Sequence, residues 1–211
     1  MCRKYKSDKI ASMIFYLIIL GGLFVFWTRI SPMMVADTDD WSYISYSRQA
    51  VPIWHAWNPV KVMPETIMGL CGYFAAYVIY PLSGDYIMSM TCVFAFLTAA
   101  LTLVYLYEFS KLIRSVFSID KYSELFTVFM FLGVHFLLLN SLDNDNRYLL
   151  MSERLVCVTN YLWPMLFCAC ISMRILSKRF ANHNNSDSDE KGNYINGGCF
   201  YSFIWRYFQI S

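Results

Sequence analysis

"TIMGLCGYFAAYVIY", residues 66–80, is the stretch on which the fold turns. It is apolar enough to enter a bilayer. Yet Pro64 and Pro81 bracket it and Gly69 and Gly72 interrupt it, residues that end or weaken helices. Whether it crosses the membrane decides which side every later loop occupies.

The rest of the chain frames that choice. Of 211 residues, 57% are hydrophobic and only 15% charged, a composition that points away from a soluble domain and toward repeated bilayer spans. Four further apolar runs stand out, at residues 10–30, 86–107, 125–139 and 155–175. A span needs about 20 residues, and about 17 at the least, because a helix rises about 1.5 Å per residue through a hydrocarbon core of about 30 Å.

Lys and Arg gather on the cytoplasmic side of membrane proteins. With Arg206 left out of both counts, ten fall outside and six inside if all five runs cross, against that bias. If residues 66–80 do not cross, eleven lie inside, from Arg3, Lys4, Lys6 and Lys9 through Lys111, Arg114 and Lys121 to Arg174, Lys178, Arg179 and Lys191, and five outside. The expected fold is therefore an all-α polytopic membrane bundle of about four full spans, with residues 66–80 as an interfacial or re-entrant helix in the outer leaflet.

This arrangement divides the chain into a signal-anchor span (1–30), an outer-face segment (31–85), a three-span bundle (86–176), a disordered cytoplasmic linker (177–198) and the start of a further, interrupted membrane helix (199–211). The basic N-terminus ahead of the first span, with Met34-Val35-Ala36 a poor cleavage site, reads as an uncleaved anchor with its N-terminus in the cytoplasm. Of seven cysteines, five lie in apolar runs, so no disulfide framework is implied, and Cys168-x-Cys170 has the wrong spacing for a zinc pair. There is no phosphate-binding glycine motif and no sign of a nucleic-acid partner.

Polar residues concentrate just after the first span. Asp37, Asp39 and Asp40 are held close to the membrane surface, where carboxylates can bind a divalent cation or take a proton from an attacking hydroxyl. They serve equally well as a solvated boundary or helix N-cap ahead of Trp41. Arg48 and Lys61 follow, cations suited to a lipid-linked phosphate, while Trp54, His55 and Trp57 suit an aromatic belt. Asn58-Pro59 reads as a turn, and Pro64-Glu65 as the start of the embedded helix. In the second outer loop Asp143, Asp145 and Arg147 read as a solvated turn or as part of a site. Asn160, Tyr161, Trp163 and Pro164 stand at the start of a span, where polar and proline residues are costly unless they line protein or water.

The combination of an anchor span, an outer "DDW" (39–41) with a downstream arginine, a half-embedded helix and "TNYLWP" (159–164) resembles the bacterial GT-C-type membrane glycosyltransferases. The likeness is strongest to glucosyltransferases that modify O-antigen and other surface polysaccharides. The resemblance implies transfer of a sugar from a polyprenyl-phosphate donor to a surface-glycan acceptor at the outer face of the bacterial cytoplasmic membrane. It implies Asp39 or Asp40 as the essential acid. The residue types themselves add Asp37, Trp41, Arg48, Lys61, Arg147, Asn160, Tyr161 and Trp163 as expected substrate contacts, the cations for the phosphate and the rings for the sugar or prenyl chain. Such enzymes carry more spans, so the chain matches an N-terminal portion. Two other readings stand beside it: a flippase, exporter or polymerase-type protein of surface-glycan assembly, against which spans nearly free of polar residues count, and a non-catalytic membrane remnant.

Overall fold

The computed structural model describes residues 2–35, 38–45, 59–117, 119–139 and 149–187, with side chains placed for 8–35, 38–41, 66–117, 119–137 and 150–181. The fold is that of an all-α polytopic membrane protein. Four helical segments, Asp8–Ile30, Thr66–Ser83, Tyr86–Val116 and Leu155–Ala181, are long and apolar enough to cross a membrane. Among the described residues the sole extended pairing is an isolated bridge between Met34 and Arg154.

Helix α1 (Cys2–Val25) closes in a π-turn, Phe26–Ile30. A short outer helix α2 (Thr38–Ser45) carries Asp39 and Asp40 in its first turn, where carboxylates complement the helix dipole. Helix α3 (Pro59–Phe74) passes through a π-turn, Ala75–Ile79, into α4 (Tyr80–Ser83). Gly84, at φ 70°, turns the chain and Asp85 caps α5 (Tyr86–Val116), its Oδ1 accepting from Met88 N–H at 3.0 Å. Helix α6 (Lys121–Leu139) returns, and a short 3-10 turn (Leu149–Met151) precedes α7 (Leu155–Cys157), a third π-turn (Val158–Leu162) and α8 (Trp163–Asp187).

Side-chain partners fix the directions. Tyr16 meets Tyr107 at 6.4 Å between ring centroids, whereas Thr98 reaches Met33 just beyond α1, so α1 and α5 are antiparallel. Phe109 stacks on Phe131 and Tyr105 bonds His135 at 3.0 Å, so α6 is also antiparallel to α5. Trp163 bonds Thr98 and Ser177 bonds the Lys111 carbonyl, so α8 runs parallel to α5. The buried face of α5 bears Ala95, Thr98, Ala99 and Thr102, small residues that let helices approach closely where lipid removes the usual hydrophobic drive. Ile14, Leu17, Ile18, Phe126, Phe129 and Met130 point outward, as apolar residues facing lipid do. The end where α1 begins is termed proximal below, and the end where it stops distal.

The segment from Thr66 to Ser83 does not run alongside α5. Ser83 bonds Ser89, Tyr80 meets Tyr86, and Ile79, Phe74, Cys71 and Leu70 share one cavity wall with Cys92–Leu97. Met68 contacts Thr159, four residues before the Trp163 that is level with Thr98. These partners, from Tyr86 to Leu97, span only about 17 Å of α5, against about 27 Å for an 18-residue helix. The segment therefore crosses α5 obliquely near its distal end.

Three expectations are corrected. The helix begins at Pro59, whose ring suits a first helical position, rather than at Pro64. Pro81 does not end it, because the π-turn before it absorbs the proline. The polar stretch after residue 176 does not start as a linker, since α8 continues to Asp187, helix propagation being cheap once begun. Residues 188–211, the rest of the linker and the expected further helix, lie outside the described residues.

One device recurs at the distal end. Each π-turn closes with a five-residue-back bond, Ser31 N–H to Phe26 O, Tyr80 N–H to Ala75 O and Trp163 N–H to Val158 O. Each of those donors is followed by a proline: Pro32, Pro81 and Pro164. A proline lacks the N–H for the carbonyl four residues back and its ring collides with it, so widening the preceding turn relieves the clash.

Candidate functional site

The distal end is assembled on the segment before α7. Leu150 O accepts from the buried Trp27 Nε1–H at 2.9 Å, and Glu153 O accepts from Met34 N–H at 3.0 Å while its Oε1 accepts from Ser31 Oγ–H at 2.8 Å. The exit of the first span is thus sewn to the start of the last. Val156 N–H then donates to Asp40 Oδ1 at 2.7 Å, across 116 residues of sequence. Asp40 is fully buried, so its carboxylate satisfies one of the donors that a helix start leaves open and sits at the positive end of that helix. Asp39, its neighbour in the first turn of α2, is exposed.

The following π-turn carries Asn160 and Tyr161. Asn160 turns its amide back to Val156 O at 3.0 Å, and Tyr161 is 66% exposed. Thr159 points the other way, donating to Leu155 O at 3.0 Å and touching Met68 of α3 at 3.6 Å. Trp163 faces inward: it is buried, stacks on Phe94 at 5.7 Å and donates from Nε1 to Thr98 Oγ1 at 3.0 Å. Trp41 remains 45% exposed on α2.

The structure therefore joins two of the motifs read from the sequence, the helix with Asp39, Asp40 and Trp41 and the one with Asn160 and Tyr161. Asp37, Arg48 and Arg147 lie outside the described residues, and Lys61 is on α3 with its side chain outside them. Sequence reasoning passed over Arg154. It is the N-cap residue of α7, exposed, two positions before the Val156 that Asp40 holds. Its signal was its place directly ahead of the last apolar run.

Among the described residues no group of three His, Cys, Asp or Glu side chains could hold a metal ion, so any divalent-cation site built on Asp37 falls outside them. Beside the oblique segment lies an open apolar cavity of about 600 Å³, bounded by Phe24, Leu70, Cys71, Phe74, Ile79 and α5 from Cys92 to Leu97. Helix α3 links it to the site, since Met68, two residues before Leu70, touches Thr159.

The spans are also more polar inside than their sequences suggest. Thr98, Thr102, Tyr105 and Glu108 follow one another at three- and four-residue spacing along α5, all buried. Tyr105 OH donates to His135 Nε2 when His135 Nδ1–H donates to Phe131 O at 2.7 Å. Thr102 Oγ1 and Glu108 Oε2 have no hydrogen-bond partner.

Compared with known proteins, the chain matches no family model, no curated protein and no solved structure.

Proposed function

We propose that the chain works as a GT-C-type glycosyltransferase, taking a sugar from a polyprenyl-phosphate donor to a surface-glycan acceptor at the outer face of the bacterial cytoplasmic membrane, with the distal end outward and the Thr66–Ser83 helix lodged in the outer leaflet. The observation that carries it is the bond from Val156 N–H to Asp40, which brings the acidic helix onto the helix of the "TNYLWP" motif. In this reading Asp39, exposed beside it, accepts the proton of the acceptor hydroxyl as that oxygen attacks the anomeric carbon. The bond from that carbon to the phosphate oxygen breaks, and polyprenyl phosphate leaves with inversion. Arg154, together with Arg48, Lys61 and Arg147, supplies cations for the departing phosphate. Tyr161 and Trp41 offer exposed rings to the sugar, and the apolar cavity suits the prenyl chain.

The test is transfer of radiolabelled sugar from polyprenyl-phosphate glucose in membranes carrying the chain. Asp39→Asn is expected to lower the rate about 100-fold or more. Wild-type transfer by that variant overturns the assignment of the base, and no transfer by the unaltered chain from any polyprenyl-phosphate sugar overturns the reading.

The buried polar line on α5 favours a second reading, movement of a lipid-linked sugar between leaflets, because polar groups in spans mark pathways. Flipping of a fluorescent lipid-linked sugar in proteoliposomes, lost in Glu108→Gln, would be its signature.

A further inference from the structure

The proximal end carries an arc of cations drawn from three helices. Lys121 Nζ and Arg114 Nε both reach Glu124, at 2.9 and 3.4 Å, which bridges the start of α6 to the end of α5. Lys111, one turn before Arg114, reaches Glu108 at 3.1 Å and lies over the Tyr107 ring at 4.3 Å. The Lys111 carbonyl accepts from Ser177 Oγ–H at 3.5 Å, which brings Lys178 of α8 to the same level. Arg174 lies one turn from Lys178 on the same face. Lys121, Arg114 and Lys111 on α6 and α5, and the exposed Lys178 and Arg174 on α8, thus lie at the same end of the bundle. Two of the acids among them, Glu108 and Glu124, are buried beneath the arc, and Asp120 is occupied in capping α6.

The arc sits where the apolar runs of α5 and α8 end, at Phe109 and Ile175, with outward-facing apolar side chains directly along the helices. A cationic rim at that level meets lipid headgroups before it meets bulk water. Arg114 reaches Glu124 through Nε and its side chain is 46% exposed, and a planar guanidinium is suited to phosphate. We infer that this arc is a binding site for the phosphate headgroup of an anionic phospholipid, as basic pockets between membrane helices are. The inference is independent of the sugar-transfer reading, since it concerns the opposite end of the bundle.

The full chain in mixed micelles or nanodiscs, examined by native mass spectrometry with equimolar phosphatidylglycerol and phosphatidylcholine, is expected to retain the anionic lipid at least about fivefold over the zwitterionic one, since one basic residue near a charged surface contributes about that much. Arg174→Gln with Lys178→Gln, which leaves the Glu124 cluster intact, is expected to cut that preference to about twofold or less, with helicity unchanged by circular dichroism. Lys111→Gln alone is the second variant and is expected to lower it less. Equal retention of the two lipids by the unaltered chain overturns the inference, and so does a preference that survives both variants. Loss of the preference on adding millimolar inorganic phosphate overturns it in favour of a free-phosphate site.

Discussion

At the proximal end Glu124 is buried between Arg114, Lys121 and Ser110, so helix ends are locked by full charges, two cations on one carboxylate, with positive charge left over. At the distal end the links are Trp27 to a backbone carbonyl, Met34 to the Glu153 carbonyl, Trp163 to Thr98 and two carboxylates that accept from uncharged donors, Glu153 from the Ser31 hydroxyl and Asp40 from a backbone N–H. The proximal helices are regular, whereas all three described π-turns, each followed by a proline, lie at the distal end. The contrast separates two uses of polar groups beside lipid. Paired charges hold a rim, and irregular backbone with one exposed acid beside one buried acid makes a place where chemistry can occur; π-turns occur often at such places.

That contrast can be broken at either end. The largest effect is expected from Arg114→Gln combined with Lys121→Gln, which strands a buried carboxylate and is expected to cost about 3–5 kcal/mol in thermal or denaturant unfolding in detergent. A loss under about 1 kcal/mol would show that the charges do not hold the proximal end. Asp40→Ala is expected to cost about 1–3 kcal/mol, because Val156 N–H loses its acceptor, with Asp40→Asn restoring most of it. If Asn rescues stability but not transfer, Asp40 shares the chemistry with Asp39.

Trp163→Phe keeps the stacking on Phe94 but loses the bond to Thr98, and about 1 kcal/mol is expected from the same unfolding measurement. The smallest effect concerns Asp120. Bonds from the Ser123 hydroxyl and from the Ser123 and Tyr122 N–H groups hold its carboxyl below the ordinary 3.8. A lowered folded value means that its contribution is present above pH 3.8 and is lost as pH falls through the lowered value. Asp120→Asn is therefore expected to flatten a slight loss of melting temperature seen below that pH, and to leave the neutral-pH slope unchanged.

Much of this was legible from residue order alone. Apolar length located the segments that became α1, α5, α6 and α8, since a span can hide its backbone only by being a long helix. The prolines misled because Pro81 was read as a stop. The relevant quantity was whether the preceding turn could widen, and that rests on bonds such as Tyr80 N–H to Ala75 O. A proline at the edge of an apolar run or inside it can be preceded by a π-turn that ends two residues before it, as at Pro32, Pro81 and Pro164. The acidic stretch was found, but nothing in it announced which carboxylate would be buried. That was decided by an N–H 116 residues away, and pairings of such separation leave no local periodicity. Likewise Thr98, Thr102, Tyr105 and Glu108 are diluted among apolar neighbours in sequence and become a polar line only once α5 is a helix with one face inward.

The proposed function puts the two ends in opposite compartments, the site with Asp39 and Asp40 outward and the cationic arc in the cytoplasm. The direct measurement places a reporter active only outside the cytoplasm in the full chain, either between α5 and α6 or between α6 and Leu149. Signal from the second position and none from the first is the expected result. Signal from the first and none from the second would contradict the account.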